Sequence, residues 1–388
     1  MTMTQGTDSL LAKLEQILAS PLGQPDSRGP LLETIARLPT LPTGLTPEQA
    51  AQRALSNLAA AGLLQHAVPQ TSQKSVRVSV RALCLIRSAL AYISPLYDLM
   101  FAMQGLGSYG VFLSGGAPAD FAEAVSTGRA ICGVGLTEPV AGSDVSQIAT
   151  TAQQLSDGSF VLDGEKTLIS NAGIATHLCF YARTSSHPKK GLSAFLLPMD
   201  TPGITIEPMR LLCDDHVIGK VRLSGVKLPA AALLGAEGQG MTLAMQTLEV
   251  FRPTVGAAAL GMARRALDEA LAHTKTRQQF GQPLSAFQAT QLALAEMATD
   301  CEAAALLIQR AAQLGDAEQS LGTAGSMAKL YATEAAQRVV DRAVQLGGGQ
   351  ALERGHVLEL LYRDVRALRI YEGTSEVQKL IIARHLLR

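Results

Sequence analysis

A block of short β-rich segments lies between two blocks of helix-forming segments, and this order constrains the fold more than any other feature of the chain. The central block covers residues 129–234. Its runs of β-branched and aromatic residues are separated by Asp-Gly, Lys-Gly and Pro-Gly turn signals, and they occupy residues 159–166, 177–184, 192–198 and 220–227. Several strands at such short spacing predict an antiparallel barrel or sandwich.

Helical periodicity marks both flanking blocks. Before residue 128, apolar residues recur at helical spacing in residues 10–18 and 48–64, whereas residues 69–80 are polar and alternating, as in a loop or a short strand. After residue 235, three long amphipathic segments follow, at residues 241–276, 286–314 and 320–346. Long helices joined by short Gly/Pro breaks predict a four-helix bundle.

Together, the three blocks predict an α+β multi-domain protein. We expect an N-terminal all-α domain over residues 1–128, a central β-domain over 129–234 and a C-terminal helical bundle over 235–388. A chain of 388 residues is long enough for two or three such domains.

The composition argues against several classes of protein. Apolar residues make up 47% of the chain and charged residues 17%, which is a globular balance. The formal net charge of zero argues against nucleic acid as a partner. The five cysteines are odd in number and lack metal-ligand spacing, so we expect free thiols, no metal site and a reducing cytoplasm. With no basic leader and no membrane-length apolar run, we expect a soluble cytoplasmic protein without a membrane partner.

Residues 136–144 have the sequence LTEPVAGSD and predict a tight loop after a strand. The backbone N–H groups and the hydroxyls of Thr137 and Ser143 are suited to bind a polar ring or an anion. A plain β-turn capped by Ser and Asp accounts for the same residues equally well. Residues 164–173, GEKTLISNAG, predict a strand that runs into a turn.

Two further segments combine glycine with a side chain that can bind a ligand. Residues 277–284, RQQFGQPL, place Arg277 at a helix end, where it either binds a phosphate or caps the last carbonyls of its helix. Residues 344–349, VQLGGG, end another helix with three glycines, although one suffices for a helix stop. Close approach to a ligand and a flexible hinge both explain the other two.

Glu372 lies in the segment IYEGTS at residues 370–375, just before a closing helix at residues 376–387. Thr374 or Ser375 is the predicted N-cap of that helix. A lone glutamate at such a position is usually a solvated loop residue or a helix-dipole partner. Its spacing alone therefore does not identify it as catalytic.

Taken together and in this order, these segments resemble the acyl-CoA dehydrogenase family over residues 129–388. The loop Thr-Glu-Pro-x-Ala-Gly-Ser-Asp and the segment Ile-Tyr-Glu-Gly-Thr-Ser are the specific signatures, supported by Arg-x-x-Phe-Gly and Gln-x-x-Gly-Gly. The α–β–α order agrees with the fold of that family.

The resemblance implies a tightly bound FAD between the β-domain and the bundle. The residues that it implies at the cofactor are Leu136, Thr137, Ser143 and Ser170 near the isoalloxazine ring, Arg277, Phe280, Leu284, Gln288, Gln345 and Gly349 towards the pyrophosphate and adenine, and Thr374 and Glu376 completing the site. A cofactor shared between chains implies a homodimer or a homotetramer.

The implied reaction is the α,β-dehydrogenation of an acyl-CoA in fatty acid metabolism, with an electron-transferring flavoprotein as acceptor. Glu372 takes the α-proton while the β-hydride passes to flavin N5. Arg252 matches a family arginine near the CoA moiety, and Ser143 and Gly373 are implied at the substrate. Some family members place the base just before that arginine, where this chain has Phe251, so the base falls to Glu372. Desolvation strengthens a glutamate as a base.

The first 128 residues depart from the family pattern, which leaves the acyl group open. No Pro-Glu-x-x-Gly-Gly loop is recognisable near residues 68–74, and residues 110–119 read GVFLSGGAPA in place of a Gly-Thr-Glu-x-x-Lys segment. Residues 348–351 read GGQA instead of Gly-Gly-x-Gly. Leu168 replaces a tryptophan that covers the flavin, so we expect altered access for electron acceptors or oxygen.

Three alternatives remain open. A dehydrogenase or oxidase of an acyl group bound to acyl-carrier protein fits the divergent N-terminal region. A relative with diverged chemistry, such as an elimination or a monooxygenation, fits the missing tryptophan but not the retained glutamate. A non-catalytic flavoprotein that binds nucleic acid or another protein is disfavoured by the zero net charge.

Overall fold

The computed structural model describes residues 7–18, 25–72, 75–187, 190–213 and 216–388. The helices in these ranges are α1 (Thr7–Leu18), α2 (Pro25–Ala36), α3 (Pro47–Ala60), α4 (Val80–Ile93), α5 (Pro95–Leu113), α6 (Phe121–Ser126), α7 (Gly240–Thr276), α8 (Gln288–Asp316), α9 (Ala324–Gly347), α10 (Val357–Leu368) and α11 (Ser375–Leu386). The strands are β1 (Gln70–Ser72), β2 (Ser75–Arg77), β3 (Cys132–Gly135), β4 (Thr151–Gln154), β5 (Phe160–Ser170), β6 (His177–Arg183), β7 (Leu192–Pro198), β8 (Ile204–Met209), β9 (Ile218–Leu228), β10 (Leu233–Leu234), β11 (Gln278–Gln279) and β12 (Gln282–Pro283).

The described residues fold into two compact units, each discontinuous in sequence. The helical unit takes its residues from Met1–Leu38, Ser79–Asp98 and Val250–Arg388, and the sheet unit from Pro39–Val78 and Leu99–Glu249. These units are defined by contacts, whereas the three sequence blocks are defined by periodicity. The domain boundaries at residues 128 and 234 stay a prediction.

The helical unit has a core in which small side chains let helices approach closely. Ala259, Ala263 and Ala266 lie on the buried face of α7 and pack with buried residues of α4, α8, α9 and α10. A Cβ added at Gly261 would lie 2.1 Å from the carbonyl oxygen of Ser88 on α4, so only glycine fits this crossing. The predicted C-terminal helical bundle is confirmed, with α4 packed into the same core.

The sheet unit contains one eight-stranded sheet with the strand order β10-β7-β6-β4-β5-β9-β8, and β3 pairs with β6. Most neighbours are antiparallel, but β3 and β4 both pair parallel to β6. Among the described strands, the edges β8 and β10 do not pair, so the sheet is not a closed barrel. The rings of Phe160 on β5 and Phe195 on β7 lie 5.1 Å apart, so the sheet folds over a shared core as a sandwich does.

Strand β6 is buried on both faces, which explains its unbroken apolar run. Leu178 and Phe180 point into the core between the two halves of the sheet. Cys179 and Tyr181 point to the opposite face, where they pack with buried residues of α5 and α6. The alternation follows from the two-residue period of a strand. Across the described part of the chain, no helix is both long and apolar enough to cross a bilayer.

Candidate active site

Glu372 lies in the connection between α10 and α11, where two successive residues adopt left-handed backbone conformations. The φ angle is 54° at Glu372 and 91° at Gly373. Such a conformation is uncommon for a residue with a side chain and costs of the order of 1–3 kcal/mol. The φ of 91° favours glycine at the second position, and a Cβ added there would also lie 2.6 Å from Nε2 of Gln378. The connection ends at Thr374, whose side chain accepts the N–H of Val377 and is therefore the N-cap of α11.

Three side chains hold this turn through its backbone carbonyls. The carbonyl of Glu372 accepts hydrogen bonds from Arg252 Nε at 3.3 Å and from Gln378 Nε2 at 3.2 Å. The carbonyl of Gly373 accepts from Lys329 Nζ at 2.8 Å and from Gln378 Nε2 at 3.0 Å. The donors come from α7, α9 and α11. The strained turn is therefore tied to three helices of the helical unit.

The Glu372 side chain is half-buried, and its Oε2 atom is shielded from solvent without a hydrogen-bond partner among the described residues. Burial raises the pKa of this carboxyl. Arg87, Lys329 and Arg252 oppose the rise, and Asp98 adds to it. A shielded carboxyl of raised pKa is suited to general-base chemistry and unlike an ordinary solvated loop glutamate.

A buried ion pair stands beside this glutamate. Arg87 on α4 donates from Nε and Nη2 to the two oxygens of Asp98, both at 2.8 Å, and from Nη1 to Thr254 Oγ1 at 2.9 Å. Arg87 and Asp98 are only 2% and 3% exposed. Sequence reasoning missed both residues and also missed Lys329. For Asp98 the available signal was a single charge within the otherwise apolar segment of α5, which is rare unless the charge is paired.

The LTEPVAGSD loop is anchored in the sheet unit by Glu138. Its carboxylate accepts the N–H groups of Ala149 at 2.7 Å and Thr150 at 3.0 Å, and it pairs with Lys166 Nζ at 2.8 Å. Lys166 also donates to the carbonyl of Leu136 at 3.2 Å. These bonds fix the loop backbone against β5. Residues 138–141 form a bridged turn, and Asp144 caps the short helical turn Val145–Gln147 that follows it.

The predicted flavin-side residues of the sheet unit lie on this loop and on β5. Leu136 and Thr137 are half-buried, and the Thr137 carbonyl accepts the N–H of Thr167 at 2.9 Å. Ser143 is exposed, and Ser170 is half-buried at the end of β5. The backbone bond joins the loop to the strand that carries Leu168 and Ser170.

Leu168 interrupts the regular pairing of β5. The register between β5 and β9 shifts between Lys166 and Ile169, and Leu168 has a φ of 58°. Its side chain is 48% exposed. At the end of the strand, Oδ1 of Asn171 is buried without a hydrogen-bond partner in the described part of the chain. An exposed apolar side chain on β5 and an orphaned polar atom just after the strand therefore lie on either side of Ser170 in the sequence.

The segment with Arg277 forms a small hairpin after α7. β11 pairs antiparallel with β12, and the turn residues Phe280 and Gly281 have φ angles of 50° and 79°, as in a type I′ turn. The Phe280 side chain is 92% exposed at the tip. Arg277 and Gln288 are exposed, and Leu284 is half-buried. Four of the six residues predicted towards the pyrophosphate and adenine thus lie in the segment that runs from the end of α7 through one hairpin to the first residue of α8.

The three glycines at the end of α9 have different roles. A Cβ at Gly347 would lie 2.8 Å from Cβ of Ala351, so this glycine is required by packing. Gly348 ends the helix with a φ of 62°. Around Gly349 a Cβ would meet no atom of the described residues within 4 Å, and Gln345 is exposed one turn earlier. Gly348 and Gly349 therefore both border open space, and Gly349 is the one of the two without a positive φ.

The remaining predicted residues cluster with Glu372 in the helical unit. Arg252 and Gly373 take part in the hydrogen bonds of the turn, Thr374 caps α11, and Glu376 is exposed in the first turn of α11. The structure thus brings the predicted base, the predicted CoA-side arginine and the last predicted cofactor residues together.

Comparison with known proteins identifies the class. The family model of the acyl-CoA dehydrogenase C-terminal domain matches residues 238–387, and that of the middle domain matches residues 133–226. Cyclohexane-1-carbonyl-CoA dehydrogenase of Geobacter metallireducens is 36% identical over 313 residues, which cover 79% of this chain and 81% of the relative. Subunit CarC of the caffeyl-CoA reductase-Etf complex of Acetobacterium woodii is 37% identical over 272 residues, covering 68% and 70% of the two chains.

Solved structures agree over nearly the whole chain. Butyryl-CoA dehydrogenase from Megasphaera elsdenii aligns with a TM-score of 0.82 and 28% identity over 100% of both chains. A glutaryl-CoA dehydrogenase from Mycobacterium smegmatis, in complex with FADH2, aligns with a TM-score of 0.80 and 26% identity over 99% of this chain and 95% of the other. These matches define an FAD-dependent class of oxidoreductases that act on CH–CH groups. This chain belongs to that class as a member of the acyl-CoA dehydrogenase family.

Proposed function

We propose that the protein catalyses the FAD-dependent α,β-dehydrogenation of an acyl-CoA, with Glu372 as the base that removes the α-proton. The observation that carries the proposal is the Glu372 carboxyl, which is shielded from solvent, raised in pKa by burial and surrounded by Arg87, Lys329 and Arg252. A positioned general base contributes about 10²–10⁴ in rate. The proton is received at Oε2, which has no hydrogen-bond partner among the described residues.

Burial has two opposing effects on Glu372 as a base, and the nearby cations offset the unfavourable one. Burial makes the carboxylate a stronger base, but it also favours the protonated form, which cannot act as a base. Arg87, Lys329 and Arg252 favour the ionised form and so keep a useful fraction of Glu372 deprotonated before reaction. The tied turn holds the carboxylate in one orientation, which a proton transfer over a short distance requires.

The residues present fit a flavin cofactor. The orphaned Oδ1 of Asn171, the half-exposed Leu168 and the anchored backbone at Thr137 lie on adjoining segments, and they suit a flat ring with polar edges. We propose that Leu136, Thr137, Ser143 and Ser170 hold the ring, that Arg277, Phe280, Leu284, Gln288, Gln345 and Gly349 hold the pyrophosphate and adenine, and that Thr374 and Glu376 complete the site. When bound, FAD supplies the acceptor for the two electrons that leave the substrate with the β-hydrogen.

On the substrate side, we propose that Arg252, Ser143 and Gly373 contact the acyl-CoA, with Arg252 near the CoA moiety. Arg252 is half-buried and bonded through Nε to the Glu372 carbonyl, which places a cation beside the base. The 3′-phosphate and pyrophosphate of CoA are anionic, so a cation in this position favours CoA over a neutral thioester. An electron-transferring flavoprotein is the proposed acceptor, since a relative belongs to an Etf complex.

The assembly that we propose is a homodimer or homotetramer in the cytoplasm, working in fatty acid metabolism. Large apolar side chains of the helical unit are exposed, including Phe280 at 92%, Leu292 at 59% and Leu306 at 55%. A groove of about 1020 Å³ between α8 and α9 is lined by Leu292 and Gln345. Exposed apolar surface of this extent on helix faces is typical of subunit contacts.

The test is anaerobic mixing of the FAD-loaded protein with a panel of acyl-CoAs of different chain length and branching, followed by flavin absorbance. We expect bleaching by at least one acyl-CoA and stoichiometric formation of the enoyl-CoA. The same acyl groups on acyl-carrier protein form the matched comparison, and stronger bleaching by the carrier-protein form would replace CoA as the proposed carrier. Protein that retains no FAD, or FAD that no acyl thioester reduces, would exclude the proposed reaction.

A further inference from the structure

We propose that Lys329 is a positioning residue for Glu372, whose buried ammonium group holds the Glu372–Gly373 turn in its strained conformation and keeps the carboxylate ionised. The inference deepens the proposed function and rests on Glu372 as the base. None of the sequence signatures of the site includes Lys329, because it lies on α9, more than forty residues before the turn.

Lys329 is a buried charge among apolar neighbours, which is unfavourable unless the charge makes a specific interaction. Its side chain is 0% exposed, and its neighbours on the buried face of α9 include Ala328, Ala332 and Ala336. Removing an ammonium group from water costs several kcal/mol unless the charge is paired and hydrogen-bonded. A methionine would fill such a place without this cost. We therefore attribute the buried charge to its contact with the carbonyl of Gly373, to which Lys329 Nζ donates at 2.8 Å.

The contact acts on the conformation of the turn. With Glu372 and Gly373 both left-handed, their successive carbonyls are bound by Lys329, Arg252 and Gln378. Lys329 provides the shortest of these bonds, and an ionised donor makes a hydrogen bond about twice as strong as a neutral one. Without it, the turn loses a main restraint against relaxing to an ordinary backbone conformation, and the carboxylate loses its fixed direction.

The contact also acts on charge. The groups that face Glu372 and Lys329 from the packed helices are Arg87 on α4, Asp98 on α5, Arg252 on α7, Glu334 on α9 and Glu376 on α11. Three of these five charges take part in ion pairs of their own.

Arg87 is paired with Asp98 at 2.8 Å, and Glu334 is paired with Arg369 at 2.8 Å. Lys329 and Arg252, together with Arg87, favour the ionised form of Glu372. Burial lowers the pKa of Lys329 to about 8, against the opposing effect of Glu372, so the ammonium form prevails at neutral pH.

The experiment follows the protonation of Glu372 directly in the FAD-loaded protein. The infrared band of the protonated Glu372 carboxyl is identified by subtracting the spectrum of Glu372→Gln and is then titrated with pH. Lys329→Met removes charge and donor, and Lys329→Gln removes the charge but keeps a donor for the Gly373 carbonyl. Thr333→Val is the matched control, since Thr333 is buried one turn further along α9 and its hydroxyl bonds only within that helix, to Lys329 and Leu330 carbonyls.

We expect Lys329→Met and Lys329→Gln to raise the pKa of Glu372 by about one unit or more, a tenfold change in its ionisation constant, and Thr333→Val to leave it unmoved. A Glu372 titration in Lys329→Met that coincides with the unmodified protein would overturn the inference. Should Lys329→Met not fold, the same comparison with Lys329→Gln decides.

Turnover gives the second readout. We expect Lys329→Met to lower kcat by about 10²-fold with little change in KM, and Lys329→Gln to retain more activity because the turn is still held. A change confined to KM would contradict a role in positioning the base. The titration needs no substrate, so a failure of the inference is distinguishable from a failure of the proposed reaction, which appears as an unreduced flavin in the unmodified protein.

Discussion

Lys166 and Glu138 form an ion pair 2.8 Å long that is almost completely removed from solvent, with the side chains 0% and 4% exposed. The Lys166 ammonium also lies 5.4 Å from the centroid of the Phe180 ring and donates to the Leu136 carbonyl. The Glu138 carboxyl is held below its usual pKa, because Lys166 and the N–H groups around it outweigh the effect of burial. The signature loop of the family is therefore shaped by a buried charge pair, and its glutamate has a structural role.

Breaking this pair should destabilise the protein strongly. Lys166→Met leaves the Glu138 carboxylate buried and unpaired, so we expect the free energy of unfolding to fall by about 3–5 kcal/mol. Lys166→Met/Glu138→Gln should recover part of the loss because no unpaired charge remains. Denaturant unfolding of the FAD-loaded protein measures both.

The matched control for this prediction is Lys220→Met, which removes a partly exposed pair with Glu207 at 3.3 Å. Its effect should stay within about 1 kcal/mol. Equal effects of Lys166→Met and Lys220→Met would show that the buried pair does not anchor the loop.

Gly373→Ala should damage the active site. The added Cβ would lie 2.6 Å from Gln378 Nε2, at a residue with a φ of 91°. We expect a loss of about 1–3 kcal/mol in stability and a fall in kcat as the Glu372 turn is displaced. Thermal unfolding and steady-state kinetics measure the two effects. Gly29→Ala in α2, where the added Cβ meets open space, is the control and should leave kcat unchanged. An unchanged kcat in Gly373→Ala as well would contradict the prediction.

The pH dependence of kcat/KM should report Glu372. Only the ionised carboxylate acts as a base, so activity rises with pH through its pKa. Because burial raises that pKa, we expect the rise above the ordinary range of a glutamate. Arg87→Met should move the rise to still higher pH, since it removes a cation that favours ionisation.

The control for this prediction is Arg87→Met/Asp98→Leu. It removes the opposing charges of both partners, so the rise should return towards that of the unmodified protein. If the pH dependence of kcat/KM is the same in Arg87→Met, measured on protein shown to be folded by circular dichroism, a group other than Glu372 limits the rate.

Leu168→Trp should slow the reaction of the reduced flavin with oxygen. Leu168 is 48% exposed and takes the position that the resemblance to the acyl-CoA dehydrogenase family assigns to a tryptophan covering the flavin. A larger ring should shield that face. Stopped-flow reoxidation after anaerobic reduction measures the rate, with Leu155→Trp, another partly exposed leucine of the sheet unit, as control. Equal rates in the unmodified protein and Leu168→Trp would place residue 168 away from the flavin.

Periodicity in the sequence predicted the elements that bury a regular face. Helices α7, α8 and α9 and strands β5, β6, β7 and β9 lie within a few residues of the predicted segments. Strands β4, β8 and β10 were not predicted, because they have two to six residues and take their stability from non-local pairing. Helix α10 was also not predicted.

The N-terminal region shows that a fold can persist where the sequence pattern is lost. The family models begin at residue 133, yet the solved butyryl-CoA dehydrogenase structure covers the entire chain. Buried apolar positions such as Leu83 and Leu90 on α4 maintain the packing without any signature. Cores tolerate extensive change when volume and pattern are kept.

The site was only partly accessible from sequence for a related reason. Glu372 was identified by resemblance, whereas Arg87, Asp98 and Lys329 were missed. Each lies within a helix, and periodicity shows which face of a helix is buried but not which charges meet inside. The meeting of α4, α5 and α9 at Glu372 is a tertiary property. The strained φ of 54° at Glu372 is likewise set by partners distant in sequence.

The most direct test of the central claim is the rate of flavin reduction in Glu372→Gln, measured anaerobically by stopped flow with the best acyl-CoA. Glu353→Gln, an exposed glutamate before α10, is the control. The account predicts a rate lower by about 10²–10⁴ in Glu372→Gln, with the FAD content and the acyl-CoA affinity retained and Glu353→Gln unchanged. Flavin reduction in Glu372→Gln at the rate of the unmodified protein would contradict it.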